Sequence, residues 1–206
     1  MRRLLPLVLL AAACATSTPK EQKVAGPGVA GAVVPPGFEA SPGENVTTVD
    51  LAHRGKPDVW KYTRKDASGK EILLRKEKDL NGDGKVDTWE RYEPDGSLSR
   101  VAYDLDFDGR PDVTLYFEKD QLVRKEMAFG FDGVPRAFAY YEKGKLVRKE
   151  RDANGDGKVD TWEYWENGEV DRIGVDLDGD GQVDRWEARK SAAAPAEGAI
   201  PAAAQK

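Results

Sequence analysis

The chain has 206 residues, of which 32 are basic and 37 acidic, and its net charge at pH 7 is −5. An acidic balance argues against a nucleic-acid partner, which needs a basic surface. His53 is the single histidine and Cys14 the single cysteine, so zinc coordination and cysteine–histidine catalysis are poor candidates. No serine stands in the Gly-x-Ser-x-Gly pattern of a nucleophile elbow. The composition therefore favours a protein that is not an enzyme.

The first fourteen residues have the features of an export signal. Two arginines precede an apolar run over residues 4–13, which is too short to span a bilayer because spanning needs about 20 apolar residues. Small residues then precede Cys14, and residues 10–14 resemble the bacterial lipobox. The resemblance implies that residues 1–13 are removed and that an acylated Cys14 anchors the chain in the cell envelope, with Ala15 indicating the outer membrane. An ordinary signal peptide that is cleaved nearby is the alternative.

Two segments of low complexity flank the rest of the chain. Residues 14–48 are rich in Pro, Gly and Ala and show no periodicity, which predicts a disordered linker. Residues 191–206 are rich in Ala and Pro and are predicted to form a disordered tail. One folded domain is therefore expected over residues 49–190. Without the arginines of residues 1–13 the remaining chain carries a net charge of −7.

A repeat of about 24 residues fills the predicted domain. Its six copies begin at residues 50, 79, 104, 128, 152 and 176. Each complete copy consists of an acidic loop, an aromatic-rich segment, a tight-turn signal such as Asn167-Gly168, and a segment with Val or Leu. Aromatic and β-branched residues bounded by such turns are typical of β-hairpins. We therefore predict an all-β fold, an antiparallel meander of about ten to twelve strands that forms an open twisted sheet rather than a closed barrel.

Three of the acidic loops match the EF-hand calcium loop at all twelve positions. Ca²⁺ is a hard cation that binds six to eight oxygens at about 2.3–2.6 Å, and alternate side chains of a tightly curved loop converge on it. The resemblance implies three sets of ligands, in which the residue at position 7 binds through its backbone carbonyl. These sets are Asp79, Asn81, Asp83, Lys85, Asp87 and Glu90; Asp152, Asn154, Asp156, Lys158, Asp160 and Glu163; and Asp176, Asp178, Asp180, Gln182, Asp184 and Glu187.

The other three loops are weaker copies. One of them keeps four carboxylates, from Asp104, Asp106, Asp108 and Asp112, but has Leu115 in place of the last glutamate. The loops over residues 50–61 and 128–139 retain too few carboxylates, and we expect them to bind no metal. Ca²⁺ is thus the predicted cofactor of at most four loops.

The helices of an EF-hand do not fit between these loops. A step of 24 residues leaves twelve residues outside each loop, whereas two helices of about ten residues need more. Two strands of about five residues and a tight turn fit this length. Glu90, Glu163 and Glu187 then fall at the start of a strand.

Three alternatives remain open from the sequence. Asp, Asn and Gly are ordinary turn formers, so the loops could be plain turns, although crowded carboxylates repel one another unless a cation is present. Aromatic residues fall on one face of the predicted strands, so the sheet could be a scaffold that binds an envelope protein or glycan. A carboxylate pair could act as a glycosidase, but here the carboxylates repeat in register. We predict a non-enzymatic, lipid-anchored, calcium-binding envelope protein.

Overall fold

The computed structural model describes residues 22–24, 34–130 and 132–188. The predicted signal peptide, Cys14 and residues 191–206 lie outside these ranges. Within the described ranges the chain forms thirteen β-strands and no helix, so no helix there could span a membrane. The strands are β1 (Gln22–Val24), β2 (Asn45–Val49), β3 (Val59–Lys65), β4 (Glu71–Lys78), β5 (Thr88–Tyr92), β6 (Leu98–Tyr103), β7 (Val113–Glu118), β8 (Gln121–Met127), β9 (Ala137–Glu142), β10 (Lys145–Arg151), β11 (Thr161–Glu166), β12 (Glu169–Val175) and β13 (Arg185–Ala188).

All thirteen strands belong to one open antiparallel sheet. Each strand pairs with the next one along the chain, and β1 and β13 are the two edges of the sheet. This arrangement confirms the predicted all-β meander. The strand count exceeds the predicted ten to twelve because β1 and β2 precede the first copy of the repeat, where the sequence shows no periodicity.

The two ends of the sheet carry different connections. At one end, here called the turn end, strands are joined by tight turns over residues 66–70, 93–97, 119–120, 143–144 and 167–168. Both residues of the three shortest turns have positive φ, as in the type I′ turns that suit twisted hairpins. At the other end, here called the loop end, six connections of nine residues follow the even-numbered strands. They are loop 1 (50–58), loop 2 (79–87), loop 3 (104–112), loop 4 (128–136), loop 5 (152–160) and loop 6 (176–184).

One face of the sheet is built from repeated triads of tyrosine, arginine and glutamate. In the triad formed by β7 and β8, Tyr116 Oη donates a hydrogen bond of 2.8 Å to Glu126, which also pairs with Arg124. The Arg124 guanidinium carbon lies 5.1 Å from the Tyr116 ring centroid, a cation–π distance. The same set recurs as Tyr62–Arg75–Glu77 and Tyr140–Arg148–Glu150. The tyrosine, arginine and glutamate of each triad therefore pair with one another, although Arg124 Nε is buried without an acceptor among the described residues.

The most deeply buried part of the molecule lies under the segment that precedes β2. Phe38 packs against Val86, Trp89 and Ala102, and all four side chains are buried. Arg100 Nη1 donates a hydrogen bond of 2.8 Å to the Pro36 carbonyl and holds the segment on the sheet. The folded part therefore begins no later than residue 34, earlier than residue 49, the boundary predicted from the repeat.

Burial decreases from this core toward β13. Trp89 and Trp186 occupy equivalent positions after loops 2 and 6 of the repeat, and their exposed fractions are 1% and 49%. Trp89 is covered by the segment around Phe38, whereas Trp186 lies on the edge strand. The repeats therefore have the same backbone but unequal packing energies.

Candidate metal-binding loops

Backbone hydrogen bonds fix each loop and join it to its neighbour. We number the residues of each loop from position 1 to position 9. The position-9 N–H donates to the carbonyl of the residue before the loop, at 2.8–3.0 Å in all six loops. The position-1 N–H donates to the position-9 carbonyl of the preceding loop, for example from Asp104 to Asp87 at 2.8 Å. Successive loops are two strands apart, so this stacking spaces them by roughly 10 Å.

Aspartates at positions 1 and 9 shape the interior of each acidic loop. In loop 2 the Asp79 carboxylate accepts hydrogen bonds from the N–H groups of Gly82 (2.5 Å) and Gly84 (2.9 Å). Asp87 accepts from the N–H groups of Leu80 (2.6 Å) and Asn81 (3.2 Å). Loops 5 and 6 repeat these contacts. The carboxylates therefore form the turn, as the plain-turn alternative predicts, and this role alone does not identify a ligand site.

Two loops bring three carboxylates close enough to share one ion. In loop 3 one oxygen from each of Asp104, Asp106 and Asp108 lies within 4.8 Å of the others. In loop 6 a second group is formed at positions 1, 3 and 9 by Asp176, Asp178 and Asp184, whereas the group of loop 3 uses positions 1, 3 and 5. Ligand oxygens at 2.3–2.6 Å from Ca²⁺ are at most about 5 Å apart, so both groups have a suitable size. Either group could hold a metal ion.

Loop 3 contains a buried carboxylate oxygen without a partner. In loops 2, 5 and 6 the Oδ1 atom of the position-1 aspartate accepts the N–H of a glycine at position 4. Loop 3 has Phe107 at position 4, and among the described residues no hydrogen bond of ordinary geometry reaches Asp104 Oδ1, although Asp104 is only 2% exposed. Burial raises the pKa of Asp104 and outweighs the backbone N–H groups of Gly109 and Phe107, which lower it; the nearby Asp106 and Asp108 raise it further. A cation would satisfy this oxygen and remove the repulsion.

Hydrogen bonds decide the opposite behaviour of the equivalent carboxylate in loop 6. Burial would raise the pKa of Asp176, but hydrogen bonds from the backbone N–H groups of Gly181 and Gly179 outweigh it and lower the pKa. In loop 2 burial raises the pKa of Asp87, with Asp79 and Asp83 adding to the effect. The acidic loops therefore differ in how strongly they favour the ionised form of their buried carboxylates.

Loops 2 and 5 replace one carboxylate by an amide. Position 3 is Asn81 in loop 2 and Asn154 in loop 5, and each amide oxygen accepts the position-5 N–H at 2.8 Å. The Asn154 amide nitrogen also donates to Asp156 (3.3 Å) and Asp160 (3.1 Å). An amide thus reduces the repulsion in these two loops, and its oxygen is also an acceptable calcium ligand.

Loops 1 and 4 carry their own cation. In loop 1 Arg54 at position 5 pairs with Asp58 at position 9. Loop 4 has the reverse order, because Arg136 at position 9 donates to Asp132 at position 5 with distances of 3.0 and 2.7 Å. The Arg136 hydrogen bonds lower the pKa of Asp132 to about 2. Sequence reasoning overlooked both arginines, although an Arg four residues from an Asp in a degenerate loop was a visible signal.

Loops 1 and 4 are called arginine loops below, and loops 2, 3, 5 and 6 acidic loops. In each arginine loop a guanidinium neutralises the carboxylate at the partner position. In each acidic loop both position 5 and position 9 are aspartate. The acidic loops therefore lack the positive charge that the arginine loops place at position 5 or position 9.

The three glutamates predicted at position 12 lie on strands and pair with side chains of the sheet. Glu90 pairs with Lys76 and Lys78. Glu163 accepts a hydrogen bond from Trp165 at 3.1 Å, and Glu187 pairs with Arg185 at 2.8 Å. Among the described loops the structure therefore brings three carboxylates together only in loops 3 and 6, whereas the aspartates of loops 2 and 5 form no such group and the three glutamates keep contacts of their own.

Glu90 is expected to give the protein a specific acid sensitivity. Burial would raise its pKa, but hydrogen bonds from Lys76, Lys78 and Tyr92 outweigh it and lower the pKa to about 2. Because this value is below the ordinary 4.5, the ionised form stabilises the fold above pH 4.5, and the contribution is lost as pH falls toward 2. Glu90→Gln should therefore lower the free energy of unfolding by about 1 kcal/mol at neutral pH, after allowance for solvent screening.

Urea unfolding in chelator at several pH values measures this effect without metal. Glu163→Gln is the matched control, since Glu163 lies 3.7 Å from a single lysine, Lys149. We expect its loss to be smaller and flatter with pH. An equal loss in both variants, or a loss from Glu90→Gln that persists at the lowest pH, would contradict the assignment.

No protein-family model matches this chain, and a search of curated proteins finds no significant match. The functional argument therefore rests on the residues and their geometry.

Proposed function

We propose that this chain is a non-enzymatic, lipid-anchored protein of the cell envelope that binds calcium ions through its acidic loops. The observation that carries the proposal is in loop 3, where one oxygen from each of Asp104, Asp106 and Asp108 lies within 4.8 Å of the others and where Asp104 Oδ1 is buried without a hydrogen bond of ordinary geometry. A cation at this point supplies the missing partner. The anchor is acylated Cys14, and its support is the lipobox-like sequence at residues 10–14.

The donor set favours calcium over other metals. Every candidate ligand is a carboxylate, amide or backbone oxygen, which suits a hard cation and not a soft one. Mg²⁺ demands near-octahedral geometry at about 2.0–2.1 Å and gives up water reluctantly, whereas Ca²⁺ accepts irregular sets. The affinity should be that of an extracellular module, on the order of 10⁻⁴–10⁻³ M.

The arginine loops give independent support to calcium binding by the acidic loops. They keep the backbone frame of the acidic loops but place a guanidinium next to the aspartate at position 5 or 9. The frame therefore forms around a positive charge where the sequence supplies one. In the acidic loops calcium supplies that charge.

Converting an acidic loop into an arginine loop tests the proposal. Asp108→Arg places arginine at position 5 of loop 3, opposite Asp112 at position 9, as Arg54 stands opposite Asp58. Isothermal titration calorimetry of the full chain should then show one calcium ion fewer than the native chain. In chelator the variant should be at least as stable as the native chain, because the new ion pair removes carboxylate repulsion.

Asp171→Arg is the matched control. It makes the same change of charge at an exposed position of β12 outside the loops. Its calcium stoichiometry should equal that of the native chain. Equal stoichiometry in all three proteins, or no calcium-dependent heat in the native chain at millimolar concentrations, would overturn the proposal.

A second candidate function is a scaffold that binds a protein or glycan through the aromatic face. The observation in its favour is an open depression of about 410 Å³ that Tyr140, Arg148 and Tyr164 help to line. An aromatic and charged surface of this kind suits a sugar ring or an extended peptide. This function requires no metal, so it gains support if chelator and calcium leave the melting temperature unchanged.

A further inference from the structure

Exposed apolar side chains are concentrated at the loop end of the sheet. Position 2 is a large apolar residue in five loops, and the exposed fraction of these side chains is 57–63%. They are Leu51, Leu80, Leu105, Phe129 and Leu177. The five turns described at the opposite end contain no Leu, Ile, Val, Met or aromatic residue. Exposed apolar side chains mark an interaction surface where they are contiguous, whereas single ones do not.

Two of these residues border a groove beside the candidate metal site of loop 3. Leu105 and Phe129 line a groove of about 220 Å³, together with Met127 of β8. Asp106 lines the same groove and also belongs to the group formed with Asp104 and Asp108. An apolar channel and a cluster of carboxylates therefore meet at one point.

A larger groove of about 460 Å³ continues from the first, since both include Met127 and Phe129. Its lining includes three basic residues, Lys125, Lys149 and Arg151, and two acidic ones, Glu150 and Glu163. Lys149 lies 3.7 Å from Glu163, so Lys125 and Arg151 are the basic side chains that can pair with phosphate groups near the apolar channel. The surface thus combines apolar, basic and cation-binding features, and together they match an amphiphile with an anionic head.

We propose that the loop end around loops 3 and 4 docks on a membrane surface of anionic phospholipid. This inference rests on the proposed calcium binding. A calcium ion held by Asp104, Asp106 and Asp108 bridges to a lipid phosphate, while Leu105 and Phe129 enter the apolar layer. Without calcium the carboxylates of loop 3 repel the anionic surface, so the loop tip complements the charge of the lipid only in the calcium-bound state.

Sheet twist limits the contact to neighbouring loops. Adjacent strands are rotated by roughly 20–25°, so loops two strands apart differ by about 45°. A flat membrane therefore touches two or three consecutive loops and not all six. Loops 3 and 4 are the pair whose position-2 side chains share a groove, whereas loop 6 lies six strands from loop 3, so that the accumulated twist is expected to turn Leu177 away from them.

A fluorescent label at the docking site tests the inference on the full chain. Cys14 is the only cysteine, so a Cys14→Ser background with Phe129→Cys carries one environment-sensitive dye. The dye should shift to the blue when calcium is added with vesicles of equal parts phosphatidylglycerol and phosphatidylcholine. It should not respond with phosphatidylcholine alone or in chelator. Adding Leu105→Ser should lower the vesicle affinity about tenfold or more, because one buried leucine is lost.

The dye on Leu177→Cys is the matched control, since this residue has the same loop position and exposure. It should stay unshifted. A shift with calcium alone that equals the shift with calcium and vesicles would overturn the inference, because the change would then need no membrane. Calcium-dependent heat with no vesicle response would overturn the docking alone. Absence of calcium-dependent heat in the labelled chain would overturn both the docking and the proposed function.

Discussion

Saturating calcium should raise the free energy of unfolding of this protein by several kcal/mol. A ligand at one hundred times its dissociation constant stabilises the folded state by about 2.7 kcal/mol for each site. Loops 3 and 6, which already gather three carboxylates each, would together contribute about 5 kcal/mol. At roughly 2–4 °C per kcal/mol for a chain of this size, the melting temperature should rise by more than 10 °C.

Differential scanning calorimetry in calcium, in magnesium at equal concentration and in chelator provides the measurement. Magnesium is the control for ionic strength, and it should raise the melting temperature much less than calcium does. The physical reason is that calcium removes repulsion among carboxylates and satisfies Asp104 Oδ1, while screening by salt does only the first in part. Identical melting in the three buffers would leave the loops as plain turns.

Trp89→Ala should cause the largest loss of stability among single substitutions, about 3–5 kcal/mol. Trp89 is 1% exposed and lies in the cluster with Phe38, Val86 and Ala102. Truncation leaves a cavity that the β-sheet backbone cannot close, so packing contacts are lost in addition to the transfer free energy. The loss should appear in urea unfolding of the full chain in the presence and absence of calcium.

Two further variants, one at Trp186 and one at Trp89, separate the effect of side-chain burial from that of the indole N–H group. Trp186→Ala removes the same side chain at the equivalent site after loop 6, where it is half exposed, and should cost less than about 1 kcal/mol. Trp89→Phe keeps most of the volume and removes Nε1, a buried donor without an acceptor among the described residues, so its loss should be well below that of alanine. Equal losses at positions 89 and 186 would refute the unequal packing of the repeats.

The repeat made most of this fold predictable. A twelve-residue loop followed by Trp or Tyr, a turn such as Asn167-Gly168 and a second short segment leaves room only for a β-hairpin, and the strands pair in sequence order throughout the sheet. The positions of Asp104, Asp106 and Asp108 were predictable for the same reason, because local loop geometry follows from glycine and aspartate spacing. Local sequence determines such features without help from distant residues.

Features that depend on distant residues could not be predicted in this way. Phe38 lies in a segment without periodicity, and its burial depends on a surface formed by strands about fifty residues or more later in the chain. The pairing of Glu90 with Lys76 and Lys78 depends on cross-strand register, which was not assigned from the sequence. The arginine pairs of loops 1 and 4 are local by contrast, and the spacing of four residues between Arg and Asp made them predictable.

The order of the loops along the edge has a consequence for the spacing of charge. Reading from β2, an arginine loop precedes two acidic loops, and the same triplet then occurs again. The true period of the electrostatic pattern is therefore three hairpins, roughly 30 Å, and not one. Two divalent ions can be neighbours, but a third is always replaced by a fixed guanidinium. The sheet could accordingly be lengthened in cassettes of three hairpins without bringing a long row of divalent ions together.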